Sequence, residues 1–465
     1  MNQDEIVAFL SSGASYGLPG LPVTRIETHG SIVFLVGDNA YKLKRPVAFS
    51  ALDYTTVERR EVACRREVEL NRRTAPDLYL GVRAICRGKD GALTLDGVGP
   101  VVDWIVAMRR FEQADLFDNL AAANRLSMRL MSALADEIAR FHAGAGVTEA
   151  HGGAQGLGRA IEQNRTDQST VESVLKRDAI ERLYTHSMRV LDRVHALLDR
   201  RRANGRVRVC HGDLRLANIC LYHGRPTLFD AIEFAENLSC VDVLYDLAFL
   251  LMDLEQRGLH AEANLVFNRY LDMSGDSEGL SALPLMISVR AGIRAYAVAA
   301  SSMRKTDRDE SRRLVAAAHA LMNLAASLLE TESPRLVALD GGIASDRDAL
   351  AVDLASRFKP SPGARILRTK MSPHVEANAA VISEVINAGY TAIIDAPFRD
   401  GMPSIQGTEL AAVLHVPFVG LWLGEAQAAP ASWQVVDRGH DGAALKASAC
   451  CATGTAASRR GPGDS

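Results

Sequence analysis

The chain has 465 residues, a net charge of −3 and 48% hydrophobic residues, which is typical of a globular protein with two or three domains. Because there is no basic excess to neutralise phosphates, nucleic acid is not expected as a partner. The acidic start Met1–Glu5 does not resemble a signal peptide, and we find no apolar stretch long enough to cross a membrane. We expect a cytoplasmic protein without a membrane partner, and the sequence leaves its oligomeric state open.

The N-terminal part is predicted to be rich in strands. Two runs of strand-forming residues are separated by a Gly-Asp-Asn turn, which is typical of a β-hairpin. The next segment is rich in Glu and Arg, and Thr55 and Glu58 have the spacing of a helix capping box. The predicted elements are strands Ile32–Val36, Ala40–Lys44 and Val101–Met108, and a helix that continues to Arg73.

The middle of the chain is predicted to be mainly helical, with short strands around one loop. Apolar residues recur at helical spacing in long segments on both sides of these strands. Strands first and helices after predict an α+β fold in two lobes, an N-lobe at 1–108 and a helical C-lobe at 109–332. The predicted elements are helices 126–142 and 179–202, strands 207–210, 219–222 and 226–229, and helices from 241 to 329.

The C-terminal part, residues 333–442, alternates strand-like and helix-like segments. This alternation predicts an α/β unit with a parallel sheet. Residues 443–465 are rich in small and polar residues, so we expect a disordered tail there. The predicted elements are strands 335–340, 390–395 and 417–423 and helical segments 348–358, 375–388 and 410–414.

The segment from His211 to Asn218 carries the groups that phosphoryl transfer needs. Asp213 can accept the proton of an acceptor hydroxyl, Arg215 can hold a γ-phosphate, and Asn218 can offer an amide oxygen to a metal ion. Asp230 can supply the metal's carboxylate, because a short hairpin would return it to Asn218. A plain turn with a capping asparagine is the structural alternative, and the joint pattern favours the catalytic interpretation.

This pattern resembles the aminoglycoside phosphotransferase and choline kinase branch of the protein-kinase-like fold. The family shows H-G-D-x-x-x-x-N, which begins here at His211, and then a metal-binding aspartate, which the resemblance places at Asp230. It also implies that Asp246 braces the catalytic loop, with Asp242 as the rival. Many members have a second histidine where this chain has Arg215. Protein kinases carry Lys or Arg at that position, so a cation is compatible with activity.

The resemblance extends to the N-terminal strands, where the family needs a lysine for the α- and β-phosphates and a helix glutamate to position it. Lys42 is preferred for the lysine, and Lys44, which points to the same face of its strand, is the alternative. For the glutamate, Glu67 is preferred to Glu69. Adenine would meet the backbone of a hinge that ends at Met108.

The C-terminal unit resembles a P-loop kinase-like domain in layout. A strand, a glycine turn at Gly341 and a helix stand where a Walker A loop would be. Asp346, Arg347 and Asp348 replace the Gly, Lys and Ser or Thr that bind phosphates and magnesium in a working loop. The whole chain thus resembles bacterial fusions of an aminoglycoside-phosphotransferase-like domain with a P-loop kinase-like domain. We predict that this degenerate loop binds ATP poorly.

The residues and the resemblance together predict an ATP-dependent phosphotransferase that uses Mg²⁺ and acts on a hydroxyl group of a small molecule. The alternative is a non-catalytic regulator that keeps the fold and binds nucleotide as a signal. The intact Asp213, Asn218 and Asp230 argue against this alternative. The identity of the acceptor is not readable from the sequence, and the family name does not supply it.

Overall fold

The computed structural model describes residues 3–49, 52–368, 375–395, 402–425, 427, 429–430 and 432–436. The tail predicted at 443–465 lies outside the described residues and stays a prediction. In chain order the strands are β1 (Thr24–Glu27), β2 (Ser31–Val36), β3 (Asn39–Lys44), β4 (Ala48–Phe49), β5 (Leu52–Asp53), β6 (Tyr79–Arg87), β7 (Leu93–Leu95), β8 (Val101–Arg109), β9 (Val207–Val209), β10 (Ile219–Tyr222), β11 (Arg225–Leu228), β12 (Cys240–Asp242), β13 (Leu336–Gly341), β14 (Arg365–Arg368), β15 (Ala392–Asp395), β16 (Phe418–Leu423) and β17 (Gln434–Val436).

The helices of the described residues are, in chain order, α1 (Asp4–Leu10), α2 (Val57–Asn71), α3 (Phe117–Ala122), α4 (Met128–Gly144), α5 (Gly153–Ser169), α6 (Arg177–Ala203), α7 (Glu236–Ser239), α8 (Val243–Gln256), α9 (His260–Ser274), α10 (Leu283–Ser302), α11 (Arg308–Ser327), α12 (Ala344–Ala355), α13 (Val375–Asn387) and α14 (Met402–Val413). The long helices α4 and α6 lie within a few residues of their predicted positions. Helices α1 and α5 were not predicted, nor were the strands β6 and β14.

The chain divides into two compact units. Unit 1 contains residues 1–152 and 205–246, and unit 2 contains residues 153–204 and 247–465. Unit 1 therefore joins the N-terminal strands to the segment that carries the predicted catalytic loop. The domain boundaries predicted at 108, 332 and 442 remain a prediction.

Unit 1 is built on a six-stranded antiparallel sheet with the strand order β1-β2-β3-β8-β6-β7. One face packs on α1 through a core that includes Leu10, Phe34 and Ile105. The other face packs on α2 through a core that includes Val68 and Val106. Each large apolar side chain buried in this way stabilises the fold by about 1.5–3 kcal/mol.

Strand β3 shows why two lysines reach the same side of this sheet. Side chains alternate between the faces of a strand, and Tyr41 and Leu43 enter the core on the α1 side. Lys42 and Lys44 must then point to the opposite face, toward α2. The predicted hairpin is confirmed, with Val33 opposite Lys42 in the register of β2 and β3.

Helix α2 begins one residue later than the predicted capping box implies. Thr56, not Thr55, is the N-cap, and its hydroxyl accepts a hydrogen bond from the backbone N–H of Arg59 at 3.3 Å. Thr55 instead donates its hydroxyl to Asp53 at 2.6 Å. Further along the helix, Glu67 is fully buried, because it shares the sheet-facing side of α2 with the buried core residues of that helix.

Two short antiparallel strand pairs hold the segment 205–246. Strand β9 pairs with β12, and β10 pairs with β11, with Ile219 opposite Leu228. Just beyond that pair, the backbone N–H of Phe229 donates to the carbonyl of Asn218 at 3.0 Å. The predicted hairpin is therefore present, and it returns the chain to Asn218 immediately before Asp230.

The C-terminal part of unit 2 contains a parallel sheet with the strand order β14-β15-β13-β16-β17, which confirms the predicted parallel α/β arrangement. Its core includes Leu339, Leu354 and Leu421. The central strand β13 ends in a turn at Gly341, where φ is +77°. A Cβ atom there would lie 2.4 Å from the Leu423 carbonyl oxygen, so both the backbone conformation and the space require glycine.

A buried polar network joins α9 to β14 within unit 2. The Asn264 amide donates to the carbonyls of Pro362 and Ala364 at 2.9 and 3.0 Å. The Asn268 amide oxygen accepts the backbone N–H of Ile366 at 2.7 Å, as a neighbouring strand would. Arg365 donates to the same oxygen at 2.9 Å. The parallel sheet is thus fixed to α9 by hydrogen bonds that need both partners.

One helical stretch differs from the expectation that no segment could cross a membrane. By length and composition alone, the helical segment Glu278–Ser302 is able to cross a membrane. It has 25 residues, and its most apolar stretch has a mean hydropathy of 1.3. Of its most apolar stretch, 67% is buried inside the fold, which is typical of a core helix as well. Arg290 and Arg294 interrupt its apolar residues, so the sequence does not show one continuous uncharged run there.

Candidate functional site

A cleft of about 490 Å³ opens in unit 1 beside β3 and the catalytic loop. It has a charged end and an apolar end, as a site for a nucleotide requires. Three other predicted site residues, His211, Arg215 and Lys44, contact this lining from behind. Asp246 lies further back and binds the loop backbone. The predicted site residues that line the cleft are Lys42, Glu67, Met108, Asp213, Asn218 and Asp230.

Asp213 is held by two neighbours in the catalytic loop. Arg215 donates to both of its carboxylate oxygens, from Nε at 2.7 Å and from Nη2 at 2.9 Å. The Asn218 amide nitrogen donates to the Asp213 carboxylate and to its backbone carbonyl, both at 2.8 Å. Burial alone would raise the pKa of Asp213, but the Arg215 guanidinium outweighs it and lowers that pKa to about 2.

Asp246 fixes the loop from its place on α8, and Asp242 does not. Its two carboxylate oxygens accept the backbone N–H groups of His211 at 3.0 Å and Gly212 at 2.8 Å. Asp242 binds instead the backbone N–H of Leu244, its own neighbour. Gly212 has φ of +85°, and a Cβ atom there would lie 2.9 Å from a backbone carbonyl, so the turn requires glycine.

His142 contacts Asp246 and so helps to hold the predicted catalytic loop, a role that the sequence did not reveal. Its Nε2 lies 3.1 Å from the Asp246 carboxylate, and both side chains are buried. Together with the Cys210 thiol, their ligand atoms lie within 4.8 Å of one another, a spacing compatible with a metal ion. The Asp246 oxygens are however engaged by loop N–H groups, so the arrangement serves to orient the loop. A histidine ending an amphipathic helix gives no sequence signal for this role.

His211 links the predicted catalytic loop to the segment that begins at Asp230, the predicted metal ligand. Its Nε2 lies 2.9 Å from the Phe229 carbonyl oxygen and donates to it, and the Ile232 N–H returns a hydrogen bond to the His211 carbonyl at 2.9 Å. Burial lowers the pKa of His211, so the ring is neutral. We therefore find His211 in a structural position, beside the reacting groups and outside the lining of the cleft.

Asp230 begins a segment that is tied to the N-terminal sheet. Its φ is +63°, an unusual conformation for a residue with a side chain. The Asp230 N–H donates to the Tyr79 hydroxyl at 3.2 Å, and the next N–H, of Ala231, donates to the Asn71 side chain at 2.9 Å. These bonds compensate for the backbone conformation and leave the Asp230 carboxylate 43% exposed at the cleft.

Lys42 bridges the two carboxylates that the sequence assigned to it and to the metal. Its ammonium lies 3.0 Å from Glu67 and 2.5 Å from Asp230. Glu67 is the buried helix glutamate, whereas Glu69 is exposed and pairs with Arg66. Burial disfavours the charged forms of these side chains, but the attraction between the lysine and the carboxylates of Asp230 and Glu67 outweighs it. The pKa of Lys42 is therefore raised, and that of Glu67 is lowered to about 2.

Lys44 is no solvent-exposed alternative to Lys42, because both lysines belong to one cluster. Its side chain is 1% exposed, and its ammonium lies 2.6 Å from the second carboxylate oxygen of Glu67. It also contacts the carboxylate of Glu233, which in turn accepts the hydroxyl of Tyr54. Glu233 and Tyr54 had no assigned role in the sequence analysis.

The apolar end of the cleft is suited to a flat ring, and the predicted hinge at Met108 stays a prediction. Met108 is inside β8, with Ala40 and Tyr79 as its register partners on the two sides. Its backbone therefore belongs to the sheet, and its side chain lines the cleft. The strand continues to Arg109, and Phe111 lines the same end after the strand has finished.

The glycine turn of unit 2 contains an ion pair that is almost entirely shielded from solvent. Arg347 donates from Nε to Asp395 at 2.9 Å, and from Nη1 to the carbonyl of Gly341 at 2.9 Å. Arg347 is 8% exposed and Asp395 is 11% exposed. The side chain at the position predicted to correspond to a Walker lysine thus binds back onto its own loop. Asp348 pairs with Arg368 at 2.6 Å.

Comparison with known proteins finds a family match for residues 53–283 and relatives that cover part of the chain. Residues 53–283 match the family described as "Phosphotransferase enzyme family", which confirms the resemblance found in the sequence. An uncharacterized protein of Mycobacterium tuberculosis is 31% identical over 273 residues, which are 58% of this chain and 53% of that protein. A protein of Mycobacterium bovis matches equally. The chain thus spans about half the length of these relatives.

Two solved structures were also found to be similar. An ethanolamine kinase of Plasmodium vivax is 12% identical, with a TM-score of 0.38 over 65% of this chain and 82% of the kinase. A choline/ethanolamine kinase family protein of Mesorhizobium loti is 13% identical, with a TM-score of 0.38 over 71% of this chain and 99% of that protein.

Proposed function

We propose that this chain, which matches the phosphotransferase enzyme family over residues 53–283, transfers the γ-phosphate of ATP to a hydroxyl group of a small molecule. The observation that carries the proposal is the convergence of Lys42, Asp213, Asn218 and Asp230 on one cleft. Phosphoryl transfer needs an oriented acceptor and compensation of phosphate charge, and these side chains offer both.

Asp213 orients the acceptor hydroxyl in this proposal. A carboxylate with a pKa of about 2 is ionised at neutral pH and accepts hydrogen bonds, but it is a weak base. It therefore takes the proton late, as the new oxygen–phosphorus bond forms and the bond from phosphorus to the leaving ADP oxygen breaks. Arg215, which binds the same carboxylate, adds positive charge where the γ-phosphate would arrive.

Asn218 and Asp230 fit a magnesium ion by their chemistry. The Asn218 amide nitrogen is engaged by Asp213, so its amide oxygen is directed away from that carboxylate. Asp230 adds a half-exposed carboxylate at the same cleft. Hard oxygen ligands of this kind suit Mg²⁺, which would compensate the charge of the phosphate oxygens when bound with ATP.

Lys42 provides the cation for the α- and β-phosphates. Its present partners, Glu67 and Asp230, hold it at the charged end of the cleft. The adenine ring would occupy the apolar end, between the side chains of Val33, Met108 and Phe111. We also propose that the C-terminal α/β part is a degenerate P-loop domain without a role in the transfer, and that the protein is cytoplasmic.

The test is phosphate transfer from γ-labelled ATP to a panel of metabolites and aminoglycosides, with Mg²⁺ and with a chelator. The full chain is compared with Asp213→Asn and with Asp90→Asn, a matched change at an exposed turn outside the cleft. We expect transfer by the wild type and by Asp90→Asn alone. Saturable Mg·ATP binding with no transfer to any acceptor would favour the non-catalytic regulator instead.

A further inference from the structure

The second buried lysine of β3 has no role in the function proposed so far. Lys44 is 1% exposed, which is rare for a lysine unless its charge is compensated. Its partners are Glu67 and Glu233, and the Tyr54 hydroxyl lies 3.4 Å from its ammonium. A surface role and a simple packing role are both inconsistent with so many polar contacts.

Glu67 shares its carboxylate between the two lysines. One oxygen faces Lys42 at 3.0 Å, and the other faces Lys44 at 2.6 Å. When Lys42 exchanges Asp230 for phosphates, its charge is shared with the nucleotide, while Glu67 stays fully buried. A buried carboxylate whose cation is drawn away is strongly unfavourable, so a second cation on Glu67 makes the exchange less costly.

The other partner, Glu233, connects this cluster to the metal-binding segment. It lies three residues after Asp230, and its carboxylate contacts Lys44 and accepts the Tyr54 hydroxyl. Asp230 itself is fixed at its backbone N–H by Tyr79. The segment from 230 to 233 is therefore attached to the N-terminal part at both ends.

The balance of charges in the cluster explains why Lys42 needs Lys44 in order to bind phosphates. Two lysines face three carboxylates, those of Glu67, Asp230 and Glu233. Without the Lys44 charge, Lys42 alone would face all three, and their attraction would compete with the phosphates for it.

We propose that Lys44 is a positioning residue, which holds Glu67 and Glu233 together so that Lys42 can exchange Asp230 for the phosphates of a nucleotide. This role rests on the proposed function, because it assumes that ATP occupies the cleft. The role goes beyond the proposed function, because it assigns Lys44, Glu233 and Tyr54 to one cluster that supports phosphate binding without touching the nucleotide.

The test compares binding of Mg·ATP and of adenosine by calorimetry on the full chain. Adenosine has no phosphates, so Lys44→Met should weaken Mg·ATP binding about 10-fold and leave adenosine binding within about twofold. Lys42→Met should weaken Mg·ATP binding by about 100-fold. The control is Arg201→Met, which removes a fully buried cation of α6 in unit 2, where it pairs with Asp276 at 2.5 Å and does not line the cleft. It should lower thermal stability and leave both affinities unchanged.

A second variant covers the case in which Lys44→Met does not fold. Lys44→Met with Glu233→Gln removes one charge of each sign, and we expect it to fold and to recover part of the Mg·ATP affinity. Equal loss of ATP and adenosine binding, or no loss, in whichever of these variants folds would overturn the role of Lys44 while leaving the proposed function intact. If the wild type bound adenosine and Mg·ATP equally well or not at all, the proposed function would fail together with this inference.

Discussion

The charged end of the cleft in unit 1 and the glycine turn in unit 2 each contain an ion pair beside the end of a strand, but the two pairs differ in their exposure. In each, a basic side chain meets an aspartate beside the end of a strand, Lys42 with Asp230 at 2.5 Å and Arg347 with Asp395 at 2.9 Å. Asp230 remains 43% exposed beside a cleft of about 490 Å³. Asp395 is 11% exposed, and Arg347 also binds the carbonyl of Gly341.

The difference teaches that an ion pair marks a binding site only where a ligand can replace one of the partners. Lys42 can leave Asp230, because the Asp230 carboxylate is exposed to solvent and Glu67 keeps its contact with Lys44. Arg347 would have to give up a carboxylate and a carbonyl together, which leaves several buried groups without hydrogen bonds. A cation at the expected position is therefore insufficient for phosphate binding.

The largest effect is expected from removing the charge at the reacting end of the cleft. Asp213→Asn should reduce turnover by about 100-fold or more and leave Mg·ATP affinity nearly unchanged, because Asp213 orients the acceptor rather than the nucleotide. Steady-state transfer and calorimetry measure the two quantities. Wild-type turnover in this variant would place the chemistry on another residue.

The pH dependence of turnover gives an independent check on Asp213. Its pKa is lowered to about 2, so the carboxylate is ionised at every pH above about 4 and becomes protonated only as the pH falls toward 2. We therefore expect no loss of turnover from Asp213 between pH 5 and 8, a range of about three units. A rate that fell on acidification with an apparent pKa near 5, and lost that dependence in Asp213→Asn, would show that Arg215 leaves the carboxylate in the working complex.

The next effect compares the two strand-end aspartates directly. Asp230→Ala should weaken Mg²⁺-dependent nucleotide binding by about 10-fold or more, because it removes a metal ligand. The matched change Asp395→Ala should leave that binding unchanged. Calorimetry with and without Mg²⁺ on both variants measures the difference. Equal affinities in Asp230→Ala and the wild type would mean that another carboxylate holds the metal.

A charge exchange between Lys42 and Glu67 tests how many partners the cluster has. Each single swap should weaken Mg·ATP binding about 10-fold or more, as for any broken buried pair. Simple pairing predicts that the double swap recovers part of the affinity. Because Lys44 lies 2.6 Å from Glu67, a lysine at position 67 would face Lys44, and we expect no recovery. Clear recovery would show that Lys44 is less important than its contacts indicate.

The smallest effect on nucleotide binding is expected at the glycine turn. Arg347→Met should change Mg·ATP binding by the full chain less than about twofold, although it should lower the free energy of unfolding by about 3–5 kcal/mol by leaving Asp395 unpaired. Arg347→Met with Asp395→Asn should be less destabilised than the single variant. Urea denaturation measures the stabilities. A marked fall in Mg·ATP affinity would show that the turn is a working nucleotide site.

Much of the site could be predicted because its residues lie in fixed sequence spacings. The spacing of Asp213 and Asn218 is set within one loop, and the short hairpin brings Asp230 back to it. The alternation of strand side chains likewise predicts that Lys42 and Lys44 share a face. Which of them contacts a nucleotide stays a prediction, and the sequence could not reveal that Glu67 has one oxygen for each.

The residues that were missed act through contacts between distant segments. His142 reaches Asp246 across 104 positions, and Tyr54 reaches Glu233 across 179. No local pattern marks such a pair. The sequence also could not show that Met108 lies within β8, because a strand's end depends on its neighbours, and β3 and β6 continue to pair with β8 there. The alternation of strand-like and helix-like segments predicted the parallel sheet, but it could not reveal how Arg347 is bound.

The network between α9 and β14 has a consequence for synthesis of the chain on the ribosome. The amide of Asn268 and the strand that it binds are separated by 97 positions. At roughly 5–20 residues per second, β14 emerges about 5–20 s after α9. During that interval the buried amides of Asn264 and Asn268 have no carbonyl or N–H from β14 to bind, so α9 cannot reach its final packing. A stall in translation within residues 275–364 should therefore leave a nascent chain whose helices are present but sensitive to protease around α9.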